Sequence, residues 1–286
     1  IVFGIDTTTA AAISGILGIL LFASPKMGGV LDNTAKILGT VMLVLIGYVA
    51  FSTNPPVAEA VTHAVAPTHY PWLATITLIG GTVGGYITFS GGHRLIDAGI
   101  TGQEHLKDVR RAAFMGMSVD AVVRILLFLA VLGVVSMGFA LDPKDPAGSA
   151  FLLGAGEIGH KLFGIVFFCA ALTSVVGAAY TSVSFLKTLF KVVERYEKLT
   201  IMAFIFVSTC ILIFIGKPAT LLIVAGSVNG LILPVTLAVM LLATRKTNIV
   251  GDYKHNSVLF YTGWIVVLVT AYIGVTSLQG IAKLLG

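Results

Sequence analysis

The sequence predicts an all-α, polytopic membrane protein, and three observations carry that expectation. Hydrophobic residues make up 57% of the 286 and charged residues only 11%, with a mean hydropathy of +0.99, a composition that belongs in lipid. The apolar residues gather into eight stretches near the length of about 20 residues that a helix needs to cross the hydrocarbon, too long for the strands of a β-barrel. Basic residues concentrate in alternate loops, which orients the stack.

Hydropathy places the stretches at residues 7–23, 35–53, 72–95, 112–140, 162–190, 199–215, 219–243 and 258–276. Lys26 and Lys36 flank the first loop, whereas the second, residues 54–71, has no Lys or Arg. Lys107, Arg110 and Arg111 mark the third loop, and Lys144 and Lys161 the fourth. The fifth holds Lys187, Lys191, Arg195 and Lys198, the sixth only Lys217, and the seventh Arg245, Lys246 and Lys254. Odd loops are therefore expected to be cytoplasmic, with both the first residue and the C-terminus outside. These loops account for the net charge of +5 without a nucleic acid partner. The chain opens on Ile1, already near an apolar region, and is expected to lack an N-terminal portion.

Side chains that carry chemistry are few. Cys169 and Cys210 sit inside apolar stretches and are expected to be inert packing. His63 and His69 fall in the second loop and His160 and His255 at membrane edges; none is spaced for metal ligation, and all are expected to be solvated. Asp120 and Arg124 are four residues apart inside the fourth stretch, where pairing offsets part of the cost of immersion and serves either structure or function. Thr173, Ser174, Tyr180, Thr181 and Ser227 are expected to hydrogen-bond between helices. Asn229 differs, because a buried amide is costly to leave unpaired and its oxygen suits a hard cation. "GGTVGG" is no phosphate loop, since no Gly-Lys-Ser/Thr follows, and GxSxG and HExxH are absent, so no signature of a soluble enzyme is present.

Glycine is the unusual feature. Residues 77–94, "TLIGGTVGGYITFSGGHR", hold Gly80, Gly81, Gly84, Gly85, Gly91 and Gly92, although each interior Gly costs a helix about 1 kcal/mol relative to Ala. Close helix packing explains Gly15, Gly18, Gly47 and Gly133 adequately. For residues 80–85, midway along their stretch, the pattern favours an unwound segment whose freed carbonyls face a substrate, with packing as the alternative.

Four motifs in order resemble those of the NRAMP family of divalent-metal transporters over nearly the whole chain. "GGTVGGYITFSGGHRL" is similar to the family's sixth helix, with its Met-Pro-His signature and a second His, and "KDVRRAAFMGMSVDAVVRILLFL" to the seventh. "LFGIVFFCAALTSVVGAAYTSVSFL" resembles the eighth helix, and "VAGSVNGLILPVTLAVMLLATRK" the tenth, where a Gln precedes a Leu-Pro pair. The resemblance implies an inverted-repeat, LeuT-like fold in which the eight stretches are the fourth to eleventh helices. Residues 1–286 would form a single transmembrane domain. Within it, 1–71 would be the last two helices of the first repeat, 72–243 the second repeat and 244–286 a final extra helix. The missing first helix would carry the family's main metal-binding carboxylate.

Carried over residue by residue, the resemblance puts Gly84 at the metal-ligating Met, Gly85 at the Pro, Tyr86 at the first His and Gly91 at the second. Gly81 falls at a small residue whose carbonyl faces the metal, and Asn229 at the tenth-helix Gln. Losing a thioether relaxes the preference for transition metals over Mg²⁺. A wider site lined by carbonyls and an amide suits an ion that keeps several waters. His93, two positions late, would point elsewhere on a helix. The tyrosine hydroxyl titrates at about 10 and relays protons poorly, and "KLTIMAFIFVSTCILIFIG" lacks the arginine that relatives associate with the proton route. The pattern matches the NRAMP-related magnesium transporters.

The expectation is thus a secondary transporter, not an enzyme, that imports Mg²⁺ and tolerates Mn²⁺. It would use no cofactor and no proton, and Gly81, Gly84, Tyr86 and Asn229 would form its metal site. Its partners would be the divalent ion and the lipid bilayer of the plasma membrane, with no nucleic acid. It would be a monomer, and any further partner would be an added crystallisation or imaging binder. Three other readings stay open: a proton-coupled Mn²⁺/Fe²⁺ symporter, an amino-acid symporter of the same architecture, and a membrane scaffold whose glycines merely pack.

Overall fold

The computed structural model describes residues 4–23, 25–82, 92, 95–96, 98–143 and 145–285, with the side chains of 7, 25–36, 173 and 279–285 excepted. The described elements are helices: α1 Thr7–Ala23, α2 Pro25–Ser52, α3 Val57–Val65, α4 Trp72–Thr82, α5 Leu106–Ser136, α6 Pro146–Leu189, α7 Lys191–Arg195, α8 Glu197–Ile215, α9 Pro218–Ala243, α10 Thr247–Val250 and α11 Ser257–Leu285. Five of them, α5, α6, α8, α9 and α11, are long and apolar enough to cross a membrane, and the bent pair α2–α3 raises the number to six. Lipid forces this outcome, because an apolar backbone segment immersed in it satisfies its own amides only as a helix or a closed barrel. Of the eight predicted stretches, the other two correspond to the shorter apolar helices α1 and α4, and the continuation of α4 from residue 83 lies outside the described residues.

Three boundaries differ from expectation, each for a local reason. The first predicted loop is largely helical, because α2 already begins at Pro25, a residue whose missing N–H is harmless at the first helical position. Beyond α2 the chain bends by 102° into α3, which lies in the predicted second loop. Pro55 and Pro56 remove two donors and push the preceding residue out of the helical region, and Asn54 adopts a φ of 44°. The predicted fourth loop holds the first part of α6, which breaks at Gly156 with φ 68° and ψ −169°. A side chain at that φ would be strained. Asp145 starts this part by accepting the Gly148 N–H at 3.0 Å, and His160, beyond the break, bonds the Gly148 carbonyl at 2.8 Å.

The chain divides into two compact units. The first, residues 1–68, 106–179 and 198–216, has its core where α2, α5 and α6 meet: Leu45, Ile46, Val49, Ala50, Ala130, Val134, Phe151 and Phe163. Phe151 and Phe163 stack at 4.4 Å from opposite sides of the Gly156 break. Gly133 lets α5 approach Thr53, since a Cβ there would overlap the threonine hydroxyl. Gly15 does the same against Thr209 of α8, and Gly18 faces Ile205 at an ordinary 3.6 Å. Gly47, expected to serve packing, has no neighbouring atom within 4 Å of its Cβ direction among the described residues. In the second unit, residues 69–105, 180–197 and 217–286, α4 packs on α9 and α11. Trp72 meets Tyr272 edge-on at 5.7 Å, and Arg245 lies 4.1 Å over the Phe260 ring.

Candidate metal site on the α4 and α9 seam

The seam between α4 and α9 is built from missing side chains. A Cβ on Gly80 would overlap the Gly226 carbonyl and the Gly230 amide, and one on Gly230 would come 2.5 Å from the Ile76 carbonyl. Gly226 and Gly230 stand one helical turn apart, the small-xxx-small spacing that lets two backbones touch. Ile76 is 0% exposed in this seam, and the Thr77 and Ser227 hydroxyls are 2.8 Å apart. Ser227 therefore bonds between helices, as expected. Gly80, grouped by sequence with an unwound segment, is instead helical and buried as a packing residue.

Gly81 behaves differently from its neighbour. It is exposed, and a Cβ placed on it would meet no atom of the described residues within 4 Å. Packing against the described residues thus does not demand glycine at 81. Residues 83–86, which follow α4, lie outside the described residues, as do Gly91 and His93, so the expectations placed on Gly84, Gly85, Tyr86 and Gly91 fall outside them.

Asn229 is half-buried on α9, between the two seam glycines in sequence and about 60° around the helix from Gly226 by the 3.6-residue period. One turn on, Pro234 is buried inside α9. Its ring nitrogen carries no proton, so the Gly230 carbonyl has no donor at i+4. An amide side chain and a carbonyl without its usual helical donor are thereby adjacent in the chain at Asn229 and Gly230. Both are hard oxygen donors. Pro234 belongs to the Leu-Pro pair of the motif read from sequence, whereas Gly226 and Gly230 were not singled out there, although "GSVNG" displays their spacing. The sequence reading brought Asn229 forward without the glycines that frame it.

The other polar residues sort by partner. Asp120 Oδ2 accepts from Arg124 Nε at 2.7 Å on α5, so the expected pair forms. His160 and His255 are half-buried with partners, the latter 3.3 Å from the Tyr253 hydroxyl, and so are not the solvated loop residues expected. Lys187 and Glu197 pair at 3.5 Å. Among the described residues, His, Cys, Asp and Glu form no group of three or more able to hold a metal ion.

These features define a multi-pass, all-α membrane protein whose polar groups lie along its helices. A family model described as "Natural resistance-associated macrophage protein-like" matches residues 1–279, and the chain belongs to this Nramp family. Membership points to divalent-metal transport. The chain is 49% identical over 278 residues to a Bacillus subtilis (strain 168) protein described as "Uncharacterized membrane protein YcsG", covering 97% of this chain and 69% of that one. It is also 49% identical over 270 residues to an "Uncharacterized membrane protein" of Haemophilus influenzae, covering 94% of this chain and 68% of the relative.

Proposed function

We propose that the complete protein imports Mg²⁺ and tolerates Mn²⁺, taking the ion partly hydrated by alternating access and without proton symport. The observation that carries this reading is the contrast on α4: among the described residues, packing requires glycine at 80 and not at 81. Glycine at 81 is then best accounted for by access to the backbone, beside an α9 that carries Asn229. In this reading Gly81 and Gly84 give access to backbone oxygens, Asn229 supplies an amide oxygen directly or through water, and Tyr86 lines the cavity. Oxygen donors without thioether or imidazole favour a hard ion that retains water. The basic loops face the cytoplasm, the C-terminus faces outside and the membrane is the plasma membrane, with residues 72–243 acting as the second repeat. An inside-negative potential then favours entry of a divalent ion by about 4.6 kcal/mol per 100 mV, twice the single-charge figure, so uptake needs no proton partner.

Isothermal titration of Mg²⁺ and Mn²⁺ against the complete protein, with Gly84→Met beside it, tests the site. The variant is expected to lose affinity for Mg²⁺ more than for Mn²⁺. Equal losses, or none, contradict the assignment.

A further inference from the structure

The ion pair on α5 stands in an unusual place. Asp120 is nine residues past Arg111 on this apolar span, about 14 Å along the helix at 1.5 Å per residue, close to half of a hydrocarbon core about 30 Å thick. At that depth the Asp120 and Arg124 side chains keep 49% and 46% of their surface exposed. Charged groups inside membranes face water or a bundle interior, because lipid hydrates neither member of a pair. The helical period separates the faces of α5 at this level. Val123 and Leu126 lie on the side that packs against the core of the first unit. Phe114, Val122 and Ile125, exposed at 70%, 52% and 59%, form an apolar arc of the kind that lipid covers. Gly116 stands one turn before Asp120, and a Cβ there would meet no atom of the described residues within 4 Å.

We infer that Asp120 and Arg124 form the charged wall of a water-filled passage along the first half of α5, within the bilayer. The pair stays ionised because water reaches it, and the fixed charges tune which ions approach along that wall. The effect on transport rests on the reading under Proposed function; the hydration of the face does not.

The test uses the complete protein in native membrane vesicles, with every cysteine, Cys169 and Cys210 included, replaced by Ser as background and single cysteines at Gly116→Cys and Val122→Cys. The probe is a charged, membrane-impermeant methanethiosulfonate, which reacts with the thiolate and so reports water. Gly116→Cys is expected to label at least about tenfold faster than Val122→Cys, since thiolate forms where water reaches. Equal or slower labelling at 116, whether lipid or another segment covers that face, overturns the inference. Divalent influx is measured in parallel: Asp120→Asn is expected to reduce it several-fold and the swap Asp120→Arg/Arg124→Asp to restore part of the loss. With labelling as expected, influx unchanged in Asp120→Asn overturns the proposed influence on ions. Absence of any divalent influx in the parent protein counts against the transport reading alone, since the labelling contrast is read without it.

Discussion

The α4 and α9 seam and the first half of α5 solve opposite problems inside one membrane. At the seam, glycines on both helices bring backbones into contact, and the Thr77 and Ser227 hydroxyls share their bonds between each other and the Leu73 and Ile223 carbonyls of their own helices. On α5, residues 110–122 are exposed throughout and two full charges pair on the same helix. Removing side chains seals a contact, whereas charge at mid-depth demands an environment the helix does not itself provide. Small residues and polar residues in membrane helices are thus separate signals: the first reports proximity of another backbone, the second proximity of water or of a partner.

The comparison breaks most visibly at its tightest point. Gly80→Leu drives a branched side chain into the backbone of α9, so destabilisation should reach or exceed the about 3 kcal/mol at the upper end of usual overpacking costs. Thermal unfolding in detergent is expected to show a large drop in Tm or no folded protein. Gly81→Ala, one residue along, is expected to leave Tm unchanged or slightly raised, by up to about 1 kcal/mol of helix propensity, while lowering divalent influx. A similar drop in Tm at both positions would erase the distinction between packing and access. Ser227→Ala removes one interhelical hydroxyl contact and should cost about 0.6 kcal/mol, the usual worth of such bonds in membranes, checked by a double-mutant cycle with Thr77→Val.

The smallest effect is expected at the start of α1. The Asp6 carboxylate accepts the Thr8 and Thr9 amides at 3.1 and 3.2 Å, and its bonds to Thr9 hold its carboxyl below the usual carboxylate range. This cap stabilises α1 above the unfolded carboxylate pKa and is lost as pH falls through the lower folded value. Asp6→Asn should therefore show helix-end exchange unchanged by acidification through that range, whereas the parent should fray.

Much of the fold was legible because hydropathy and length act on every residue of a span at once. The central parts of α5, α6, α8, α9 and α11 follow directly from such runs. What the sequence reading missed depends on single residues whose effect is set by contacts. Pro55 and Pro56 turn α2 into α3 over a few residues, and the part of α6 before Gly156 looks like loop because it is short and flanked by prolines and charges. The site was less legible for the same reason. Glycines 80 and 81 are indistinguishable in sequence, and only the Gly226 and Gly230 backbones tell them apart. Gly47 shows the converse, a glycine that seemed to need a neighbour and has none within reach among the described residues.

The most direct test of the central claim is ion flux into liposomes carrying the complete protein, with internal dyes for Mg²⁺ and pH read together under an inside-negative potential. The account predicts a rise in internal Mg²⁺ with no acidification beyond that of empty liposomes. Exclusion of Mg²⁺, with Mn²⁺ entering alongside protons, would contradict it.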